Sequence, residues 1–269
     1  MRDYCDIDLE HMLEFAEDLA VKAGHLIKEL RGGKLEFNYK SGSELVTSAD
    51  LKSDELIRRE LTAQYPDIPI YSEESHKGKT DFYGPLWIVD PIDGTVNYAH
   101  GHFNVSISIG FAYNGELKLG VVYCPFLYEK FSALVGHGAF LNGDRIYCNQ
   151  IDDLSKSIIA TGFPYDKTKR PALMDNVRKI LDNCQDIRRL ASAAIDICWV
   201  ACGRLEGYFE TVSLWDMAAG FVIAKEAGAA ISNYGPDNPD MPKEFNCECM
   251  LVSNQKLHRK LKDILYLKY

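Results

Sequence analysis

The sequence predicts a mixed fold, with an α+β half over residues 1–150 and an α/β half over residues 151–269. Three observations lead to this prediction. Apolar residues recur at helical spacing from Asp8 to Leu30, apolar and polar residues alternate between Val105 and Phe140, and strand-like and helix-like segments then alternate to the end. The chain has 269 residues, of which 46% are hydrophobic, so it is long and apolar enough to bury a full core and is not a disordered protein.

Two helices open the first half. The first is predicted from about Asp8 to Leu30, with Asp6 or Asp8 as its cap and Gly32-Gly33 at its end. The second is predicted from about Ala49 to Tyr65 and stops at the proline that follows. The polar segment KLEFNYKSGSELVTSAD between them is typical of an exposed hairpin.

A sheet completes the first half. Short apolar strands are predicted at IPIYS and LWIVD, and the alternating runs from Val105 to Phe140 follow them. Asn114-Gly115 is a dipeptide that two-residue hairpin turns prefer. We therefore expect a meander of antiparallel strands.

The second half alternates between strands and helices. Strands are predicted at SIIATG, DIRRL, RLEGYFE and CMLVS. Helices are predicted near Ala172–Leu181, Ala193–Ala201, Trp215–Ala227 and Gln255–Tyr266.

Charge and composition limit the partners and the compartment. The formal net charge of −9 argues against nucleic acid or an anionic membrane as the main partner, since both are negatively charged. The N-terminus has no apolar segment typical of a signal peptide, and no apolar run approaches the ~20 residues that span a bilayer. We expect a cytoplasmic protein with no membrane partner.

The eight cysteines contain no C-x-x-C motif and no paired Cys/His cluster that would indicate zinc. Cys198 and Cys202 are four apart in a helical pattern and are expected to be buried thiols on one face. Cys247 and Cys249 are expected to alternate along a strand and to be buried in the same way. This usage favours a reducing compartment.

The segment WIVDPIDGTVN, from Trp87 to Asn97, is the most informative one. Asp90 ends a predicted buried strand, and Asp93 follows three residues later, before a helix that Gly94-Thr95 begins. Two carboxylates at such a position repel each other, and a divalent cation such as Mg²⁺ removes that cost. The Gly-Thr helix start also offers backbone N–H groups to a phosphate oxygen. The alternative is that both aspartates only cap or turn the chain.

Two further acidic positions favour the metal site. Glu73 follows the strand IPIYS, and Asp216 begins a helix in the second half, which would thereby complete a site begun in the first. Four carboxylates at element ends, Glu73, Asp90, Asp93 and Asp216, are more typical of a metal cluster than of four separate caps. An aspartyl-phosphate phosphatase is disfavoured, because its two aspartates are two apart rather than three.

These motifs resemble the inositol monophosphatase family of Mg²⁺-dependent phosphatases. The resemblance rests on the ordered segments KSGSELVTSAD, SEES, WIVDPIDGTVNYAHG, RRLASAAIDICWVACGRLEGYFE and WDMAAGFVIAKEAGA, and it covers about Leu9 to Leu265. It implies a layered αβαβα sandwich, a homodimer, inhibition by Li⁺, and a small sugar- or inositol-phosphate substrate.

The resemblance also implies site roles. Glu73, Asp90 and the carbonyl of Ile92 would bind one metal ion, and Asp90, Asp93 and Asp216 a second. A weaker third ion would be held with help from Glu73 and Asp90 through water. Thr95, paired with Asp50, would orient or deprotonate the attacking water, and Lys40 lies in the hairpin that approaches the metals. The substrate would be contacted by Asp93, Gly94, Thr95, Ala191, Ser192, Ala193, Glu210 and Asp216.

The substrate stays open at this point. Ala191 stands where many relatives have glycine, and the stretch after His100 lacks the Phe-Pro common in relatives. Inositol monophosphate is the first hypothesis, and fructose 1,6-bisphosphate or a 3′-phosphonucleotide is the alternative on the same fold. A third hypothesis is a regulatory binding protein with secondary phosphatase activity.

Overall fold

The computed structural model describes residues 8–32, 37–39, 45–76, 78–163, 168, 170–236 and 238–265. Its helices are α1 (Leu9–Arg31), α2 (Ser48–Gln64), α3 (Thr95–Ala99), α4 (Arg170–Leu181), α5 (Ala193–Ala201), α6 (Leu214–Glu226) and α7 (His258–Leu265). Its strands are β1 (Phe37–Tyr39), β2 (Leu45–Thr47), β3 (Ile70–Ser72), β4 (Leu86–Asp93), β5 (Ser106–Tyr113), β6 (Glu116–Cys124), β7 (Glu129–Leu134), β8 (Gly138–Leu141), β9 (Asp144–Ile146), β10 (Ile158–Thr161), β11 (Asp186–Arg188), β12 (Gly207–Glu210), β13 (Ala230–Asn233) and β14 (Met250–Ser253).

Local signals determine where the first helices begin. The Asp8 side chain accepts a hydrogen bond of 3.0 Å from the backbone N–H of His11, which caps α1. Thr47 and Asp50 form a reciprocal capping box at the start of α2. The predicted turn is also confirmed, since Asn114 and Gly115 join β5 to β6 with φ angles of 57° and 72°.

Two large sheets divide the described chain. Strands β3 to β9 form a seven-stranded sheet in sequence order, antiparallel except for the parallel pair β3 and β4. The other sheet has five strands in the order β11-β10-β12-β14-β13, with parallel and antiparallel pairs. The boundary predicted at residue 150 falls between the sheets, and the division into two halves stays a prediction.

Helices and sheets stack in five layers. Helices α1 and α2 cover one face of the seven-stranded sheet, and α5 and α6 fill the space between the two sheets. Helices α4 and α7 cover the outer face of the five-stranded sheet through a core that includes Leu173, Phe209 and Leu261. The predicted αβαβα sandwich is therefore confirmed.

Helix α6 lies very close to the seven-stranded sheet. A side chain at Gly120 on β6 would place its Cβ only 2.3 Å from the carbonyl oxygen of Ala219 on α6, so only glycine fits there. This close packing fixes the N-terminus of α6, and with it Asp216, against the end of β4.

An irregularity interrupts the pairing of β4 with β5. Asp90 pairs with Ser108 and Asp93 pairs with Ser106, so three steps along β4 oppose two steps along β5. Pro91 lies at this point, where the ladder needs no N–H from it. The extra residue allows Asp90 and Asp93, which in a regular strand would face opposite sides, to reach the same site.

Some sequence predictions are wrong or untested. Cys247 and Cys249 do not lie on a strand, because they precede β14 in a loop where Cys249 has a φ of 49°. Cys198 is buried and Cys202 is half-buried. Strands β9 and β13 were not predicted. Cys5 and Lys40 lie outside the described residues. Among the described helices, none is both long and apolar enough to cross a bilayer.

Candidate metal centre

Three carboxylates from two elements converge at the junction of the layers. Asp90 and Asp93 come from the end of β4, and Asp216 is the third residue of α6. Their ligand oxygens all lie within 4.8 Å of one another. This spacing suits several oxygen ligands around one or two small cations.

Hydrogen bonds orient each carboxylate. Oδ1 of Asp90 accepts from the backbone N–H of Ile92 at 3.0 Å, and Oδ2 of Asp216 accepts from the N–H of Ser213 at 2.7 Å. Oδ2 of Asp93 accepts from the hydroxyl of Ser192 at 2.6 Å and from the N–H of Ala194 at 2.8 Å. Within the described part of the chain, Oδ2 of Asp90 and Oδ1 of Asp216 make no hydrogen bond and can act as ligands.

The electrostatics of the cluster favour a bound cation. Burial raises the pKa of Asp90 well above its usual range, and repulsion from Glu73, Asp93 and Asp216 raises it further. Burial also raises the pKa of Asp216, with repulsion from Asp93 next in size. For Asp93, burial raises the pKa to about 6 against the hydrogen bonds from Ser192 and Ala194. A divalent cation would reverse this penalty by pairing with the ionised forms.

Glu73 lies beside these aspartates. It follows β3 directly, and its backbone N–H donates to the carbonyl of Val89 on β4 at 3.2 Å. Its side chain lines the same cavity of about 530 Å³ as the three aspartates. The donor set is thus entirely oxygen, as Mg²⁺ prefers, and it fits the metal site that the sequence predicts.

A hydroxyl and a buried acid lie next to the carboxylate cluster. The Thr95 hydroxyl contacts Oδ1 of Asp50 at 2.9 Å and the carbonyl of Ile92 at 3.2 Å. Asp50 is 1% exposed and also accepts from the N–H and the hydroxyl of Thr47. Burial raises the pKa of Asp50, whereas these hydrogen bonds oppose the shift. Asp50, which helps to cap α2, is therefore also connected to the candidate site by its hydrogen bond with Thr95.

Two residues with left-handed backbone close one side of the cavity. Gly94 has a φ of 95°, and a Cβ there would lie 2.8 Å from the carbonyl oxygen of Asn104. Only glycine both adopts this φ readily and leaves that space free of a Cβ atom. Ala191 has a φ of 64°, which costs an alanine about 1–2 kcal/mol. Glycine at this position would avoid that cost.

Glu210 forms the opposite wall of the cavity. Its Oε2 accepts a 2.6 Å hydrogen bond from the hydroxyl of Tyr208, which is fully buried. Burial raises the pKa of Glu210 to about 7, and the hydrogen bond from Tyr208 and the charge of Arg189 limit that rise. Glu210 therefore lines the cavity from the end of β12, with its carboxylate held by Tyr208.

Three further residues line this wall, of which Gly162 and Phe163 were not predicted from the sequence. Gly162, Phe163 and Arg189 line the cavity, and the Arg189 guanidinium lies 5.5 Å from the centre of the Phe163 ring. Asp196 is buried behind the wall, where its Oδ1 has no hydrogen-bond partner among the described residues. Burial and repulsion from Glu210 raise the pKa of Asp196.

The structure brings nearly all predicted site residues to one cavity. Those that line it are Glu73, Asp90, Ile92, Asp93, Gly94, Thr95, Ala191, Ser192, Ala193, Glu210 and Asp216. Asp50 lies behind Thr95 and reaches the cavity only through it. The predicted roles of these residues stay predictions, although their juxtaposition is observed.

Comparisons with known proteins agree with this geometry. The sequence profile of the inositol monophosphatase family matches residues 8–265. An inositol-1-monophosphatase of Synechocystis sp. is 38% identical over 265 residues, which cover 96% of this chain and 90% of that protein. A Nus factor SuhB of Pasteurella multocida is 37% identical over 227 residues, covering 83% of this chain and 85% of that protein. The crystal structure of the extragenic suppressor protein suhB of Bartonella henselae superposes with a TM-score of 0.88 at 29% identity, covering 96% of this chain and all of that one.

Proposed function

Because the chain belongs to the inositol monophosphatase family, we propose that it hydrolyses inositol monophosphate in a Mg²⁺-dependent reaction. Family membership supports a phosphatase acting on small phosphate esters. The observation that carries the proposal is the meeting of Asp90, Asp93 and Asp216 within 4.8 Å, beside the Thr95–Asp50 pair. The 38% identical inositol-1-monophosphatase of Synechocystis sp. supports the choice of substrate.

The acidic residues would hold the metal. Glu73, Asp90 and the Ile92 carbonyl would bind one ion, Asp90, Asp93 and Asp216 a second, and Glu73 and Asp90 would help to hold a third. Bound Mg²⁺ supplies a lowered pKa for its water ligand and neutralises charge on the phosphoryl oxygens. The hydrogen bonds from Ile92, Ser213 and Ala194 keep the carboxylates oriented before any ion arrives.

Thr95 and Asp50 would take up the proton of the attacking water. The Thr95 hydroxyl donates to Asp50, so its oxygen keeps lone pairs that can accept a hydrogen bond from a water in the cavity. Asp50 is buried and its pKa is raised, which makes it a better proton acceptor than an exposed aspartate. Together they would orient the attacking water and receive its proton.

Glu210 and the Ala191–Ala193 turn would receive the alcohol part of the substrate. A carboxylate only accepts hydrogen bonds, and a polyol offers several hydroxyl donors to it. The 530 Å³ cavity is large enough for a ring bearing one phosphate. We propose that the protein works as a cytoplasmic homodimer, as the resemblance implies.

A substrate panel tests the proposal. Purified protein is assayed against inositol monophosphate, fructose 1,6-bisphosphate and a 3′-phosphonucleotide over a Mg²⁺ titration, with and without LiCl. We expect that the protein does not turn over any substrate without Mg²⁺, that its kcat/KM is highest for inositol monophosphate, and that Li⁺ inhibits it. Absence of Mg²⁺-dependent turnover on every substrate would refute the phosphatase assignment.

One observation favours a bisphosphate or nucleotide substrate instead. Arg189 provides a cation on the alcohol side of the cavity, where a second phosphate would need one. Replacing it separates the two substrates: Arg189→Gln should weaken turnover of a bisphosphate much more than turnover of inositol monophosphate.

Several relatives are named Nus factor SuhB, which favours an additional regulatory role. The full set of acidic residues supports an active enzyme and does not exclude a second function. A pull-down with an inactive, folded Asp216→Asn variant separates the two roles. A specific partner retained by this variant would support binding independent of catalysis.

A further inference from the structure

A second cavity lies on the other side of α6. It has a volume of about 560 Å³, similar to the candidate active site, and shares no lining residue with it. Trp215 and Asp216 face the metal site, whereas Met217 and Phe221 on the same helix line the second cavity. A ligand here would therefore occupy a separate site.

The floor of this cavity is apolar and adaptable. Phe221 and Ile231 offer half-buried apolar surface to the cavity, and Met217 and Met250, each 1% exposed, pack in the layer behind it. Methionine side chains adjust to ligands of irregular shape because they are unbranched and polarisable. The floor thus suits the ring or hydrocarbon part of a small molecule.

The rim of the cavity is positively charged in a protein of net charge −9. Three lysines line it against one glutamate, a formal surplus of two positive charges. Glu244 is already engaged, because its Oε1 accepts from Lys225 at 2.6 Å and its Oε2 accepts from the N–H of Leu117 at 2.8 Å. Its charge therefore does not compensate the other two lysines.

Those two lysines are Lys243 and Lys262. Neither has an ion-pair partner in the part of the chain that the structure describes. They approach the cavity from different elements, Lys243 from the loop after β13 and Lys262 from α7. Like charges that line one cavity repel each other, and an anion between them would relieve the repulsion.

The walls of the cavity are already held in place. The Lys225–Glu244 pair joins α6 to the loop that carries Lys243, and the Asn233 amide donates to the carbonyl of Asn246 at 3.0 Å. The wall strand β13 is joined to α7 by the Ser232 hydroxyl and His258 Nε2, 2.8 Å apart. A preformed cavity costs less ordering when a ligand binds.

We propose that this cavity, defined by Met217, Phe221, Met250, Lys225, Lys243 and Lys262, binds a small amphipathic organic anion. The apolar part of the ligand lies on Phe221 and Ile231, backed by the two methionines, and its carboxylate, sulfonate or phosphate lies between Lys243 and Lys262. The combination of an apolar floor with a few convergent polar groups is typical of small-molecule sites.

Fluorescence titration with anilinonaphthalene sulfonate tests this site, because that probe is an aromatic anion. The titration uses the full chain at low ionic strength and without phosphate, because a phosphate ion could itself bind between Lys243 and Lys262. The double variant Lys243→Gln/Lys262→Gln should weaken binding about 5- to 10-fold and reduce its salt dependence. Phe221→Ala should weaken binding by loss of apolar contact while the salt dependence is kept.

A matched control removes two other exposed lysines, Lys52 and Lys256, as glutamines. This control should bind the probe like the wild type, because neither residue lines the cavity. Equal loss of affinity in control and test variants would overturn the proposal, since only net charge would then matter. Equal loss of probe affinity in Arg189→Gln, which changes the candidate active site instead, would also overturn it, because the probe would then lie in that cavity.

Discussion

The carboxylate of Glu210 occupies the space that a side chain at Gly162 would need. A Cβ on Gly162 would lie 1.9 Å from Oε2 and 2.1 Å from Oε1 of Glu210. The end of β10 therefore determines where the carboxylate at the end of β12 points, and the hydrogen bond from Tyr208 holds it there.

Gly162→Ala tests this relationship. The added methyl group must displace Glu210, so we expect KM for inositol monophosphate to rise about 10-fold or more with a smaller change in kcat. Steady-state kinetics measures the split. The double variant Gly162→Ala/Glu210→Ala should be no worse than Glu210→Ala alone, and additive losses would contradict the steric explanation.

Asp90→Asn tests the metal centre. Losing one charge from the cluster should lower kcat by about 10³-fold or more, because Mg²⁺ binding and charge neutralisation both weaken. The metal-free variant should unfold at a higher temperature than the metal-free wild type, since a buried repulsion is relieved. Activity assays and thermal unfolding in EDTA and in Mg²⁺ check both expectations. The exposed control Asp182→Asn should change neither, and full Mg²⁺-dependent turnover of Asp90→Asn would refute the metal assignment.

Ala191→Gly tests the left-handed backbone at residue 191. Glycine adopts a φ of 64° without the alanine penalty, so the free energy of unfolding should rise by about 0.5–1 kcal/mol after the entropy cost of glycine is counted. Chemical denaturation measures it. Ala172→Gly, within the right-handed α4, should instead lower stability by about 0.5–1 kcal/mol. A loss of stability at both positions would contradict this account.

His258 should give the stability a pH dependence that is separate from the carboxylate cluster. Burial, together with the charge of Lys262, lowers the pKa of His258 to about 4 from its ordinary value of 6.5. The unfolded chain therefore binds a proton first as pH falls, and stability should decrease from about pH 6.5 down to pH 4. Because the ring is partly exposed, the effect should be on the order of 1–2 kcal/mol. Denaturation midpoints of His258→Gln should vary less with pH over this window than those of wild type, and parallel curves would contradict the assignment.

The sequence could predict the parts of the site that local signals mark. Asp90 lies near the end of a strand, Glu73 follows one, and Asp216 lies in the first turn of a helix, so short-range patterns locate each of them. The layered arrangement came from the resemblance, and the structure confirms it. Helix α1 likewise begins and ends near the predicted residues because its caps are local.

Contacts between distant segments could not be predicted. The fit of Glu210 over Gly162 depends on the parallel pairing of β10 with β12, which no local pattern records. The same holds for Arg189 beside Phe163, residues that only the fold brings together. Cys247 and Cys249 are two residues apart, as on one face of a strand. The backbone nevertheless turns at Cys249 before β14 begins.

The site depends on the extra residue between Asp90 and Asp93. The number of residues that each strand has at this point therefore matters as much as the residue types. If one residue were inserted into β5 opposite this point, between Ser106 and Ser108, β4 and β5 could pair without interruption, and the sheet itself would gain regularity. The second carboxylate would then face the opposite side of the sheet, among the apolar residues under α1 and α2. A sequence could thus keep every acidic residue and fold into the same layers, yet lose the cluster, because one added residue changes the face of the sheet on which Asp93 lies.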